Sequence, residues 1–188
     1  MIDKSSLNKL ITASRQKDEK AFRLIVEEFQ SLVYSISFRL LCNEDEAKDI
    51  TQETFIRVWI NLNKYNSKQK FSTWLYTIAT NLCLDKLKRQ KYFQKNDMSE
   101  TILTTIAIKD DTEEKILNQE LLDLISSFTQ ELTPKQKIVF TLRYLEELEI
   151  EEIKQITGMS SEKIKSNLFL AKKNIQNKIE KIYRNEYK

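Results

Sequence analysis

Ile150-Glu151-Glu152-Ile153-Lys154-Gln155-Ile156-Thr157-Gly158-Met159-Ser160-Ser161 contains the one glycine of the 188-residue chain. Ile150, Ile153 and Ile156 recur at a helical step. Gly158 stops that helix, and Ser160 and Ser161 can cap the next one. A glycine between two short helices, followed by capping serines, is the turn of a helix-turn-helix. Sixteen residues upstream of this stretch the one proline, Pro134, follows Thr133 and opens another helical pattern, as proline at a first helical position does. The rest of the chain contains no strong helix breaker. The expected fold is therefore all-α, ending in a DNA-reading unit.

Composition narrows the function. Zero histidine removes the commonest general base and the commonest metal ligand. Cys42 and Cys83 lie far apart without partner clusters, which suggests buried reduced thiols rather than a disulfide or a zinc site. No metal, cofactor or catalytic set is expected, so an enzyme is disfavoured. Met1-Ile2-Asp3-Lys4-Ser5-Ser6 has no apolar signal-peptide core, and no run reaches membrane-spanning length. A cytoplasmic protein without membrane insertion is expected.

The net charge of +3 hides an alternation of blocks. Glu44, Asp45, Glu46, Asp49 and Glu53 face only Lys48. From Asn61 to Lys91 seven bases stand against Asp85 alone. From Glu113 to Met159 ten acids stand against five bases, and from Ser160 to Lys188 eight bases against three acids. Such alternation implies two kinds of partner, one basic and one polyanionic.

Apolar periodicity places helices near Leu7–Ile11, over Glu19–Leu41, over Glu46–Leu62 and over Phe71–Lys91, with Asn43 and Asp45 as a turn and cap. Residues 63–69 form a polar loop. Residues 92–111 are polar apart from Ile102, Leu103, Ile106 and Ile108, and are expected to form a linker. A second helical block begins near Thr112 and runs through Ile116–Phe128, Pro134–Leu145, Ile150–Ile156 and Ser161–Tyr183. Two helical domains are expected, 1–91 and 112–188, joined by linker 92–111.

Three segments carry the binding chemistry. In and just after Phe71–Asn81, the residues Phe71, Trp74, Leu75, Ile78, Ala79 and Leu82 form an apolar stripe. Ser72, Thr73, Tyr76, Thr77, Thr80 and Asn81 form an opposite face of hydroxyls, an amide and an aromatic, almost without charge. Lys64, Lys68 and Lys70 precede this helix, and Lys86, Lys88, Arg89 and Lys91 follow its centre. Hydroxyls and amides bond base edges, aromatics stack on unpaired bases, and lysines neutralise phosphates. The pattern suits opened or single-stranded DNA; an ordinary amphipathic helix with Phe71 and Trp74 in the core is the alternative. On the acidic helix Asp49, Gln52 and Glu53 share one face, which is either a solvated surface or a dock for a basic partner. In the last helix Ile164, Leu168, Ala171, Ile175, Ile179 and Ile182 form a stripe. Lys163, Lys165, Ser166, Asn167, Lys172, Lys173 and Lys178 lie on the other faces, as in a helix that enters a major groove.

These residues resemble those of bacterial RNA polymerase sigma factors of the extracytoplasmic-function (ECF) subfamily. Asp45-Glu46-Ala47-Lys48-Asp49-Ile50-Thr51-Gln52-Glu53-Thr54-Phe55-Ile56-Arg57-Val58-Trp59 resembles sigma region 2. Phe71–Asn81 resembles the segment that reads the start-proximal promoter element. Leu132 through Lys173 resembles region 4. The resemblance implies that Asp49, Gln52, Glu53, Phe55 and Arg57 bind the clamp helices of the largest subunit of core RNA polymerase. It implies that the loop 63–70 shapes a pocket for a base flipped from the non-template single strand. Lys64, Lys68, Lys70, Phe71, Thr73, Trp74, Tyr76, Thr77, Asn81, Lys88 and Arg89 would then read and melt promoter DNA. Ser160, Ser161, Glu162, Lys163, Lys165, Ser166, Asn167, Lys172 and Lys173 would bind the upstream promoter duplex, while region 4 also binds the polymerase flap. The resemblance leaves room for an anti-sigma factor or an auxiliary recruiting protein.

One departure stands out. Where the family's helix commonly continues with basic residues after Lys-Ser, Lys165-Ser166 is followed by Asn167, Leu168, Phe169 and Leu170. Weak upstream binding is expected, with Phe169 and Leu170 packing either on a partner or against the Ile116–Phe128 helix. Two other classes compete with the sigma reading. A two-domain helix-turn-helix regulator outside the polymerase requires a ligand pocket in the first domain. A helical adaptor without DNA contact requires mixed charge pairs on the face of Thr73, Tyr76 and Asn81. Neither feature is visible.

Overall fold

The computed structural model describes residues 2–96, 127–129 and 131–186, with no strand among them. Asp3 caps α1 (Lys4–Arg15), accepting from the amides of Ser5 and Ser6. Asp18 caps α2 (Glu19–Leu41) in the same way. Cys42 ends α2 in the left-handed region at φ 52°, so the C-terminal stop is made without glycine. Asn43 then caps α3 (Glu44–Asn61) through a 2.9 Å bond from the Glu46 amide. Glu44, Asp45 and Glu46 occupy the first turn of α3, where the helix dipole favours negative charge. A 3-10 turn, Leu62–Lys64, leads into the loop before α4 (Phe71–Asn96). That helix runs beyond the expected end near Lys91, because nothing in Lys91-Tyr92-Phe93 interrupts it.

Residues 127–129 are helical. The rest of the expected linker and of the Thr112–Phe128 helical block lies outside the described residues. Thr133 opens α5 (Pro134–Phe140) with a reciprocal capping box to Gln136 and proline in the first turn. The expected Pro134–Leu145 helix is not uniform: Thr141–Leu145 widens into a π-turn. Then come α6 (Ile150–Thr157), ended by Gly158 at φ 66°, and α7 (Ser161–Glu186). Ser160 accepts from the Lys163 amide at 3.4 Å, as the capping serines require.

Helix α4 is the centre of the molecule. One side packs on α2 and α3, and another packs on α5 and α6. Val33, Ile36, Leu40, Val58, Leu75 and Ala79 merge with Val139, Leu142, Ile153, Ile156 and Ile164 in one continuous core. Burial of this apolar surface, at about 25 cal/mol per Å², is what holds short helices that would not persist alone. Both cysteines are free thiols; Cys83 is buried in this core, whereas Cys42 is only half-buried. The second thiol departs from the expectation because it sits at a helix end rather than on an apolar stripe.

Candidate nucleic-acid interface

The loop before α4 is rigidly held. Arg15 donates to the carbonyls of Tyr65 at 2.6 Å and Leu62 at 3.3 Å. The Tyr65 hydroxyl donates to the Gln69 carbonyl at 2.8 Å, closing the loop on itself. The Tyr65 ring lies edge-on to Phe71 at 5.1 Å and 5.2 Å from Trp74, and Phe71 also meets Phe29 at 5.3 Å. Phe71 is thus buried and Trp74 half-buried, with the two rings clamping the loop to the helix start. Lys64, Lys68 and Lys70 remain exposed around this loop, and Asn81, Lys88 and Arg89 are exposed further along α4.

The hydroxyl face of α4 is largely covered. Thr73 and Tyr76 are buried, and Thr77 is half-buried. The hydroxyls of Thr77 and Thr80 donate to their own helix, to the carbonyls of Thr73 and Tyr76 respectively. What covers Tyr76 is the turn after the π-turn: its hydroxyl donates to Glu146 at 2.7 Å. Burial, reinforced by the Glu146 carboxylate, pushes the Tyr76 phenol well above its usual range. Arg39, in the last turn of α2, donates to the other Glu146 oxygen at 2.6 Å and to the Leu145 carbonyl at 2.6 Å. Lys70 reaches Glu152 on α6 at 2.8 Å, and this contact holds the Glu152 carboxyl below its usual range.

On α3, Asp49, Gln52 and Arg57 are exposed, Glu53 is half-buried, and Phe55 turns into the core. Glu53 and Arg57 form an ion pair one turn apart at 2.7 Å. Ile56 and Ile60, 54% and 67% exposed, lie in the same outward region, so the acidic face also carries apolar surface. Their positions beside the buried Thr54, Phe55 and Val58 were the available signal for this outward pair. At the other end of the helix Glu46 binds Lys86 at 3.2 Å and Gln90 at 3.0 Å, anchoring α3 to the distal part of α4.

On α7, Ile164, Leu168 and Ala171 are buried against α5 and α6. Glu162, Lys163, Lys165, Ser166, Lys172 and Lys173 are exposed, as is Ser160; Ser161 and Asn167 are half-buried. Asn167 donates back to the Lys163 carbonyl at 2.7 Å. Lys172 lies over the Tyr144 ring at 4.9 Å. Phe169 and Leu170 are 66% and 42% exposed. Most of the Ile116–Phe128 segment they were expected to meet is outside the described residues.

This arrangement of two helical blocks matches known proteins in order and in sequence. A family model described as Sigma-70 region 2 matches residues 25–92, and one described as Sigma-70, region 4 matches residues 122–175. The chain is 32% identical over 169 residues to the ECF RNA polymerase sigma factor SigW of Bacillus subtilis, covering 86% of this chain and 90% of that protein. The chain belongs to the ECF sigma factors. It is also 29% identical over 182 residues to the ECF RNA polymerase sigma-E factor of Escherichia coli K12, covering 93% and 95% of the two chains. The fold is shared with CnrH, solved in complex with the cytosolic domain of CnrY, at a TM-score of 0.67 and 15% identity over 93% of this chain and 97% of that one. It is shared also with the sigma factor RpoE of Bartonella quintana, solved with the anti-sigma factor NepR, at a TM-score of 0.63 and 20% identity over 86% and 98%.

In this ECF sigma factor the region 2 match covers most of α2, all of α3, the loop and most of α4, and the region 4 match covers α5, the π-turn, α6 and the first half of α7. Arg39 and Glu146, which join the two matched segments, were not singled out by sequence reasoning. Arg39 lies within an apolar-periodic helix and Glu146 within a run of acids, so neither carried a local signal. No helix among the described residues is long and apolar enough to cross a membrane.

Proposed function

We propose that this ECF sigma factor binds core RNA polymerase in the cytoplasm, opens promoter DNA with its first block and reads the upstream element with its second. The observation that carries the reading is the braced loop at the start of α4. Arg15, Tyr65, Phe71 and Trp74 fix a short polar loop with its lysines outward, a rigid rim on which an unpaired base can be held. Capture of unpaired bases shifts the duplex-to-open equilibrium towards open without any bond being made by the protein. The domain division at 1–91, 92–111 and 112–188 is part of this proposal.

The outward face of Asp49, Gln52, Glu53 and Arg57, with Ile56 and Ile60 beside them, supplies a dock of mixed apolar and acidic character. That composition suits the polymerase clamp helices, and the region 4 block suits the flap. Lys163, Lys165, Ser166, Lys172 and Lys173 stand outward on α7 for upstream duplex DNA. A protein antagonist of the anti-sigma kind, such as the one bound to the Bartonella quintana relative, is consistent with this assignment. The test is reconstitution with core polymerase and transcription over fragmented genomic DNA, followed by mapping of start sites. Starts that share sequence elements upstream are expected. Initiation no greater than that of core polymerase alone would overturn the assignment.

A further inference from the structure

Lys137, in the middle of α5, is a buried lysine, only 8% exposed. Charged groups at that depth are ordinarily paired with an opposite charge. The one partner of its ammonium among the described residues is the Cys42 sulfur, 3.9 Å from Nζ. A thiol sulfur is a weak acceptor and brings no full charge to offset a cation. Glu46, the carboxylate whose charge reaches this part of the core, bonds Lys86 and Gln90 instead. Among the described residues, then, an enclosed cation faces sulfur rather than an anion.

That sulfur is open to small solutes. Cys42 follows the last residue of α2 and is half-buried, whereas Lys137 behind it is enclosed. The Cys42 thiol donates to the Arg39 carbonyl at 3.8 Å and accepts from Lys137. The Lys137 charge also reaches Cys83, but that thiol is fully enclosed by the core. Oxidation by a hydroperoxide puts an oxygen on sulfur, and such an oxygen is a far better acceptor for an ammonium than the thiol is.

We propose that Cys42 is a site of oxidation by hydrogen peroxide, and that Lys137 holds the oxygens handled in that reaction. A sulfur lone pair attacks one peroxide oxygen, the O–O bond breaks, and the second oxygen departs as hydroxide. The thiol proton reaches that hydroxide through solvent. Thiol and peroxide thus become sulfenic acid and water; sulfur loses the electron pair that peroxide gains. The Lys137 ammonium donates first to the departing oxygen and then to the oxygen left on Cys42. A small thiol reverses the change. It displaces the sulfenic oxygen as water, giving a mixed disulfide, and a second thiol releases Cys42. The modified sulfur lies where α2 of the region 2 match meets α5 of the region 4 match.

The experiment treats the full chain with hydrogen peroxide in the presence of dimedone, which traps sulfenic acids, and locates the adducts by peptide mass spectrometry. Iodoacetamide alkylation in parallel reports the exposure and reactivity of the thiol in a reaction that has no departing oxygen. The parent is expected to carry dimedone on Cys42 and not on Cys83. Lys137→Met is expected to lower the ratio of the peroxide rate to the iodoacetamide rate about tenfold, as for loss of one charged hydrogen bond. A change in packing alone would move both rates and leave their ratio unchanged. An equal ratio in parent and variant would therefore overturn the role of Lys137. A parent that takes no dimedone on Cys42, or takes it as fast on Cys83, would overturn the site. Circular dichroism and thermal unfolding check the fold; should Lys137→Met fail to fold, Lys137→Gln supplies the same comparison.

Discussion

Arg15 on α1 holds the main chain of Tyr65, fifty residues away, through a 2.6 Å bond to its carbonyl. The first helix, which carries none of the expected binding residues, therefore sets the position of the loop that does. Arg15→Met keeps most of the aliphatic packing and removes the two donors. The expected result is unchanged helical content and unchanged association with core polymerase, but reduced permanganate reactivity of promoter thymines. Normal melting by this variant would show that the loop is shaped by its aromatic residues alone.

Docking on polymerase is expected to depend on the outward face of α3. Asp49→Lys combined with Gln52→Lys reverses one charge and adds another at two exposed positions without touching the core. Co-purification with core polymerase should be lost while the circular dichroism spectrum and melting temperature stay within about 0.5 kcal/mol of parent stability, as for other surface changes. Ile60→Ser should weaken the same association without any change in charge. Retained association of the double lysine variant would remove this face from the dock.

Phe71 and Asn81 separate packing from reading on one helix. Phe71 is buried against Phe29, Tyr65 and Trp74, so Phe71→Ala should cost about 3–5 kcal/mol in urea unfolding. Asn81 is exposed, so Asn81→Ala should leave stability nearly unchanged yet reduce open-complex formation. If Asn81→Ala melts promoters as well as the parent, the reading surface does not extend that far along α4.

The two thiols should differ in reactivity and in their effect on alkaline stability. Burial pushes the Cys83 thiol up to about 12, only partly offset by Ser37. The folded state therefore keeps a proton that the unfolded state loses above pH 8.5 or so. Stability contributed by this group falls as pH rises through that window, by about 1–2 kcal/mol between pH 8 and pH 10. Urea midpoints over this range should drop more steeply for the parent than for Cys83→Ala. Iodoacetamide at pH 8 should label the half-buried Cys42 and spare Cys83 until the chain is unfolded.

Phe169 and Leu170 stand outward on α7, in the stretch Asn167–Leu170 where two basic residues were expected from the resemblance. Each lost phosphate contact lowers the salt slope of duplex binding by about one unit. Leu170→Arg should therefore steepen the salt dependence of upstream-element binding by about one and tighten it at low salt. A large loss of initiation by the unmodified protein on a scrambled upstream element, with steep salt dependence, would show that conventional reading survives the substitutions.

Much of the architecture was legible because its signals are local. Apolar spacing gave α2 its full span, and Thr133-Pro134 and Gly158 marked the ends around the helix-turn-helix; α3 begins at Glu44, two residues before the expected Glu46, because Asn43 alone is its cap. The uncharged face of α4 was legible too, but not what lies on it. Tyr76 meets a residue seventy positions away, and nothing in the spacing of Thr73, Tyr76 and Thr77 distinguishes a surface kept for DNA from one kept for another helix. The π-turn at Thr141–Leu145 was equally hidden, since its apolar residues continue the α pattern. Lys91-Tyr92-Phe93 read as a boundary because the apolar stripe faded there, yet a helix needs only the absence of a breaker to continue.

Lys17, Cys42 and Glu147 all take left-handed backbone, at φ 68°, 52° and 55°, as does Gly158 at 66°. A side chain in that region costs roughly 1–2 kcal/mol, against roughly 0.5–1 kcal/mol of extra chain entropy lost by glycine. Protein engineers usually raise heat resistance by removing glycine. At the exposed Glu147 the balance runs the other way, and a thermostabilised version of this chain would be one that gains glycines.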